Sequence, residues 1–409
     1  MHALSPGEVL HLLPLGLLGL LSWSVWLYRR VSSHRARPVV NDFTTTTSLV
    51  VPSFREDPGV LSDCLDTWLA AGPTEVILVV DVDDGACLEM LASRDLPALV
   101  RVVPFRHRGK RSALGVGLRL AGMEVVVLAD SDTAWRPGLL DHVVMPFTDP
   151  RVGGVGTRQS VAARESSVWR RVASWMVNIR YLDYVPAMGA RGGVACLSGR
   201  TAAYRRSVIL PLLPQLEREV FLGRECVAGD DGRLTWLVLG SGHLTVHQDS
   251  ARAVSMFPDT LRAFLKQRMR WSRNSYRCYL TAAYKGWLWR QPMITQITVL
   301  QILLTPITMA AALVFLVSAF ATKPLWVAAG YLIWVIAGRG LRGLSHLRDH
   351  PRDLVLLPLV VVMTAVIALP VKLAALVTMN RQGWLTRHAN QVGGEGQDQA
   401  SLGSHAVTD

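Results

Sequence analysis

The chain has 409 residues, half of them hydrophobic, and a net charge of +12. That is too apolar for a purely soluble globule and too charged for a bare membrane bundle, so one soluble domain with several spans is expected. The five cysteines, Cys64, Cys87, Cys196, Cys226 and Cys278, are odd in number and form no CxxC pair. Neither a disulfide framework nor a zinc site is expected, which fits a reducing compartment.

In chain order, an apolar run over 9–28 ends in Tyr28-Arg29-Arg30, with Arg35 and Arg37 just beyond. It has no basic leading region and no small-residue cleavage site, so residues 1–40 read as a transmembrane helix and a basic juxtamembrane segment on the cytoplasmic side. Arg339, Arg342, Arg348 and Arg352 precede the last apolar run in the same way, so much of the positive charge is topological and the protein is expected to be multi-pass, in the plasma membrane. Residues 41–256 change character. "TTTTSLVVPSF", "EVILVVD", "LVRVVPF" and "EVVVLAD" read as buried strands alternating with helical stretches, which predicts a cytoplasmic α/β domain with a mostly parallel sheet.

Residues 257–291 mix Arg and Lys with Trp, Tyr, Phe and Leu and predict one or two helices in the membrane interface. Apolar runs follow at 293–321, 324–338 and 354–378, within a membrane region expected over 292–380. Only Thr322 and Lys323 separate the first two, which predicts a tight hairpin. The third contains Pro358, Pro370 and Lys372; it can span, or bend at Pro370 and re-enter, and the second path is favoured. The polar, Gly-rich tail within 381–409 is expected to be disordered.

Several groups carry chemistry. In "VVLADSDT", Asp130 and Asp132 stand just past a strand, where one carboxylate can meet a divalent cation that neutralises a diphosphate leaving group. Taken alone, the pair is equally a turn former. In "GDDG", Asp230 and Asp231 precede a helical stretch; one of them can serve as a general base, or both can favour the helix N-terminus. In "QRMRW", Gln267, Arg270 and Trp271 fall at i, i+3 and i+4, sharing one helical face that offers an amide, a guanidinium and an indole. A membrane-interface helix with snorkelling arginines shows the same pattern. Ser53, Asp81 and Asp83 lie at strand ends, where ligands gather in such sheets, and either Asp81 or Asp83 can hydrogen-bond a uracil or ribose. Lys110 and Arg111 can meet phosphates, although "HRGKRS" lacks the spacing of a nucleotide-triphosphate loop.

In order, "VPSFRED", "GKRSAL", "ADSDT", "LSGRTAAYRR", "GDD" and "QRMRW" resemble the family-2 glycosyltransferases, the processive membrane group with cellulose, chitin and hyaluronan synthases. The likeness covers roughly residues 45–280. Hyaluronan synthase looks closest, because "GDDGRLT" resembles its GDDRHLT and "TMNRQGWLTR" its WGTR motif. Leu385 stands where that motif has Gly, Gly232 where the other has Arg, and Arg200 where a Pro follows "LSG". The resemblance implies a GT-A fold beside a membrane channel and an inverting transfer from UDP-sugar donors that elongates and translocates a polysaccharide. It implies Asp132 as ligand to Mg²⁺ or Mn²⁺, Asp130 near the nucleotide-sugar, and Asp231 as base beside Asp230. It also implies that Gln267, Arg270 and Trp271 hold the diphosphate and the acceptor end, and that Trp384 and Arg387 form a gating segment. Two rivals remain: a non-processive transferase with a polyprenyl-phosphate acceptor, and a membrane protein that only binds nucleotide-sugars. No basic stripe with interleaved aromatics stands away from the membrane segments, so nucleic acid is not an expected partner.

Overall fold

The computed structural model describes residues 16–106, 108–322 and 324–381. The first described element, α1 (Gly16–Arg35), leads through an extended stretch to β1 (Thr47–Ser53). Then follow α2 (Pro58–Ala70), β2 (Glu75–Asp81), α3 (Gly85–Ser93), β3 (Val100–Phe105), α4 (Lys110–Leu120) and β4 (Val125–Ala129). Helix α2 starts where the sequence sets a cap: the Asp57 carboxylate accepts from the Val60 amide, and Pro58 sits in the first turn. β5 (Thr133–Trp135), β6 (Val152–Val161), α5 (Val168–Ile179), β7 (Thr201–Arg205), α6 (Asp230–Gly240) and β8 (Leu244–Ser255) complete the α/β part.

The eight strands form one sheet in the order β3-β2-β1-β4-β7-β6-β8-β5. The β3-β2-β1-β4 half is parallel, β7 is antiparallel to both of its neighbours, and β8 runs parallel to β6. Both faces of the parallel half are covered, which explains why its strands read as unbroken apolar runs rather than alternating ones. Leu49, Val51, Leu78 and Val127 pack on one side with Leu61, Leu65 and Trp68 of α2. Val50, Ile77, Val79 and Val126 pack on the other with Leu114 and Leu118 of α4 and with Leu234 and Leu237 of α6. Helix α4 approaches the sheet closely at Gly117, where an added Cβ would lie 2.4 Å from Val50 Cγ1.

Beyond the sheet, α7 (Leu261–Tyr284) is one helix carrying the QRMRW segment. α8 (Met293–Thr322) and α9 (Leu325–Arg342) form a hairpin closed by the Phe315–Tyr331 ring contact. Arg30 of α1 pairs with Asp183 at 2.7 Å, which ties α1 to the α/β part of the chain. By length and composition, two helical stretches can cross a membrane: Met293–Thr322 and Pro351–Val377. The outer side of α8 exposes Leu304, Ile307, Val314, Val317 and Phe320, an apolar face that water does not suit. The chain is therefore membrane-associated. α9, expected as a span, is an 18-residue return stacked on α1 through Trp334 and Trp23.

The segment Pro351–Val377 corrects one expectation. It does not break at Pro370. It runs from a 3₁₀ turn into α10 (Leu357–Val362), a π-turn (Met363–Ile367) and α11 (Ala368–Val377), so Pro370 lies inside a helix. A proline ring collides with the carbonyl four residues before it, and Val366 lies in the π-turn, whose wider backbone accommodates the ring. Both ends of the segment touch the same domain. Asp353 accepts from Arg171 Nε at 2.9 Å and also pairs with Arg164. At the other end, Arg273 Nε and Arg277 of α7 donate to Thr378 Oγ1 and the Met379 carbonyl, and Asn380 Nδ2 donates to the Leu222 carbonyl of the α/β domain at 3.4 Å. The chain thus returns to the α/β domain without a sharp bend.

Candidate active site

Strands β2, β1 and β4 are neighbours, so their C-terminal ends bring Asp81, Ser53 and the Asp130–Asp132 loop to one edge of the sheet. Asp81 is buried and its Oδ1 accepts from the Asp83 amide at 2.8 Å, while Asp83 itself faces outward. The Ser53 hydroxyl is buried with no hydrogen-bond partner among the described residues. Asp132 is half-buried at the mouth of this edge, near the Thr133 hydroxyl.

The motifs one hundred residues apart meet at Lys110, the first residue of α4. Its Nζ lies 2.6 Å from Asp130 Oδ1 and 3.1 Å from Asp230 Oδ2. Burial disfavours the Lys110 charge, but Asp130 and Asp230 outweigh it and hold the ammonium well above the ordinary lysine value. Burial, opposed by Lys110, pushes the Asp130 carboxyl up. At Asp230 burial also disfavours charge, yet Lys110 prevails and keeps the carboxyl below its ordinary range. One ammonium thus bridges two carboxylates from different parts of the chain and offsets part of their charge.

Asp230 and Asp231 reach this point because Gly229 turns the chain with φ +77°, a left-handed conformation, next to the Asn274 side chain of α7. Gly229 stands at the N-cap of α6 and offers no side chain to cap it. Asp231 is half-buried; its Oδ1 accepts from the Gly232 amide at 2.7 Å, and the Cys196 thiol lies 3.8 Å from its Oδ2. Lys110, Ala129, Gly199, Tyr204, Asp230 and Asp231 line one cavity.

Other candidates fall elsewhere. The Arg111 guanidinium does not face the cleft: it donates to the Leu216, Ala228 and Gly229 carbonyls and pairs with Glu219 at 2.7 Å. It braces the loop that delivers Asp230, so the expected phosphate contact is replaced by a structural one. Gln267, Arg270 and Trp271 share α7; Gln267 Oε1 is buried without a partner among the described residues, and Trp271 packs edge-on to Phe257. Trp384 and Arg387 lie outside the described residues. Residue spacing alone did not single out Glu56, whose carboxylate accepts from the Ser131 hydroxyl at 2.8 Å and whose amide donates to Asp84. Its only signal was its place in "VPSFRED", between a strand end and a helix cap.

The mostly parallel sheet, with acidic residues gathered past its strand ends, is that of a glycosyltransferase of the GT-A fold, as the family match shows. The chain belongs to the glycosyltransferase like family 2, whose model matches residues 45–274, more than half of its length. It is 29% identical to an N-acetylglucosaminyltransferase of Rhizobium meliloti (strain 1021) over 378 residues, 87% of this chain and 84% of that protein. With an N-acetylglucosaminyltransferase of Azorhizobium caulinodans it shares 31% identity over 242 residues, spanning 57% of this chain and 60% of the relative. Among solved structures, the mannosyltransferase PcManGT from Pyrobaculum calidifontis, in complex with GDP-Man and Mn²⁺, superposes with a TM-score of 0.61 at 20% identity, over 87% of this chain and 99% of that one.

Proposed function

We propose that the protein is an inverting transferase that moves N-acetylglucosamine from UDP-GlcNAc to a sugar hydroxyl at the cytoplasmic face of a membrane, elongating a glycan. The observation that carries the reading is the Lys110 bridge, which unites Asp130 and Asp230 in one site with Asp231 beside them. The names of the relatives favour N-acetylglucosamine as the donor sugar.

The donor's uridine fits the strand-end edge, where Asp81 and Ser53 offer buried polar atoms to a base and ribose. Among the described residues no three His, Cys, Asp or Glu side chains converge on one point, so a metal ion would not sit in an all-protein cage. A half-buried Asp132 suits a hard cation that completes its shell with donor phosphates and water, the usual habit of Mg²⁺ and, by its preference for oxygen, Mn²⁺. When bound, such an ion supplies charge to the departing diphosphate. Lys110 holds Asp130 and Asp230 in place and lessens the repulsion between the acidic floor of the site and the donor diphosphate. Asp231 takes the proton from the acceptor hydroxyl; that oxygen attacks the anomeric carbon from the face opposite UDP, and the C1–O bond to UDP breaks. Arg270, on the same helix as Gln267 and Trp271, supports the leaving diphosphate from α7.

Replacing Asp231 by Asn keeps the shape and removes the base. UDP binding by calorimetry is expected to stay within about twofold, while transfer falls by about 10²–10⁴, the usual share of general-base catalysis. An Asp231→Asn variant with near-normal turnover would remove the base from the scheme.

A further inference from the structure

Beside the catalytic aspartates, Arg200 and the more exposed Arg180, from two other elements, come close enough to Arg268 to disfavour its charge. Arg200, in the loop before β7, holds its guanidinium 5.2 Å from the centre of the Trp271 ring and 4.1 Å from Phe257. Arg268 lies 4.9 Å from that same Trp271 ring and 4.7 Å from Phe264. Arg180, in the π-turn that follows α5, donates to the Cys196 carbonyl at 3.0 Å, and the thiol of Cys196 lies 3.8 Å from Asp231. Lys372 of α11 reaches the same side, above the Tyr276 ring and close enough to Arg268 to repel it.

Like charges gathered in this way are costly unless something negative joins them. None of the ion pairs among the described residues places a carboxylate on Arg180 or Arg268. Arg268 Nε and Nη2 are wholly buried with no hydrogen-bond partner among the described residues, and so is the Tyr276 hydroxyl, a further donor on the same helix. Burial, then Arg200 and Arg180, pull the Arg268 guanidinium down to about 9. Buried donors left without acceptors mark a place built for an occupant. The occupant is an oxyanion, because gathered positive charges call for negative charge as well as acceptor atoms, and Arg is suited to phosphate and carboxylate alike.

Position separates this cluster from the nucleoside end of the donor site. The strand-end edge with Asp81, Ser53 and Asp132 lies past β2, β1 and β4, whereas the arginines lie on α7, the π-turn and the β7 loop, with one residue, Cys196, between Arg180 and Asp231. We infer that Arg180, Arg200 and Arg268 form a second anion site that binds an oxyanion carried by the acceptor, while a hydroxyl of the same acceptor sugar faces Asp231. The inference rests on the transferase reading above. Lys372, contributed by an apolar helix, favours a phosphate that joins the sugar to a membrane lipid, and a uronate carboxylate offers the same chemistry from a soluble glycan.

The test compares three acceptors built on the same sugar: a neutral chito-oligosaccharide, a uronate-terminated oligosaccharide, and N-acetylglucosamine linked through diphosphate to a short polyprenol. The full-length protein in nanodiscs is given UDP-GlcNAc, and KM and kcat are read for the wild type, Arg268→Gln and Arg268→Lys. Binding of each acceptor without donor is followed by native mass spectrometry, and UDP affinity by calorimetry. An anionic acceptor is expected to have at least a tenfold lower KM than the neutral one. Arg268→Gln is expected to erase that preference, Arg268→Lys to restore part of it, and UDP affinity to stay level. Preference for the lipid-linked acceptor identifies a phosphate, and preference for the uronate identifies a carboxylate; either supports the site. Equal use of neutral and anionic acceptors by the wild type would overturn the inference while leaving the transferase standing, and so would a loss in Arg268→Gln shared equally by UDP and the neutral acceptor. Absence of turnover with every acceptor, together with anion binding that Arg268→Gln abolishes, would overturn the transferase reading and leave the site.

Discussion

Lys110 is the residue on which the site depends most. It is 16% exposed and stands between carboxylates that are 32% and 12% exposed, so its removal leaves Asp130 and Asp230 facing each other. Lys110→Met is expected to cost about 1–3 kcal/mol, less than for a fully enclosed pair because water reaches all three groups. The apparent melting temperature in detergent measures this, and adding Asp230→Asn should recover part of the loss. If Lys110→Met melted with the wild type, the bridge would contribute nothing to the fold. At this scale the sequence was partly legible. Acidic residues at strand ends announce a ligand edge, so Asp81, Asp130 and Asp132 were visible by position. Arg111 was misread because a lysine–arginine pair at a helix start looks the same whether its charges face phosphate or, as here, carbonyls of a distant loop. Arg180 and Arg268 were not separable from the many other arginines, since only three-dimensional packing brings them together and buries Arg268.

Among the elements, the parallel strands were plain in the sequence because burial on both faces leaves unbroken apolar runs. β6 was not, since Gly153, Gly154 and Gly156 give it the look of a loop. Those glycines answer to packing: a Cβ at Gly154 would lie 2.7 Å from Leu197 Cδ1, so the loop carrying Cys196 and Gly199 can lie flat against the strand. The same constraint at the α4–β1 contact yields a prediction. Gly117→Val drives a branched side chain into Val50 and is expected to destabilise by about 1–3 kcal/mol or more, since overpacking forces backbone shifts. Because α4 carries Lys110 at its first residue, transfer activity should fall with stability. A Gly117→Val variant that melts and turns over like the wild type would show that α4 does not approach the sheet this closely. Pro370 shows the converse: the residue that most suggests a break is absorbed one turn earlier by a π-turn, a feature that sequence patterning does not reveal.

For the whole molecule, the apolar runs located the membrane-facing parts, but counting them alone gives a different path from the one the contacts favour. Three spans after α7 would leave the C-terminal end opposite the catalytic domain, whereas Asp353 and Met379 both meet residues of that domain or of α7. Positions 354 and 380 are therefore expected on the same side of the membrane as the α/β domain, and position 322 on the other side. Single cysteines at Leu354, Asn380 and Thr322, tested with an impermeant maleimide, check this: Thr322→Cys labels in intact cells above the wild-type background, and the other two label only in inside-out vesicles. Labelling of Asn380→Cys from outside would mean that Pro351–Val377 crosses the bilayer.

This family-2 glycosyltransferase is proposed to use UDP-GlcNAc at the Lys110–Asp130–Asp230 site beside Asp231. UDP release from the purified full-length protein in nanodiscs tests it most directly, with UDP-GlcNAc, UDP-glucose and UDP-glucuronate supplied singly and in pairs, with Mn²⁺ or Mg²⁺ and with chelator. The expected result is release from UDP-GlcNAc alone, dependent on the divalent ion and lost in Asp231→Asn. Release only when UDP-GlcNAc and UDP-glucuronate are supplied together, or only from another donor, would contradict it.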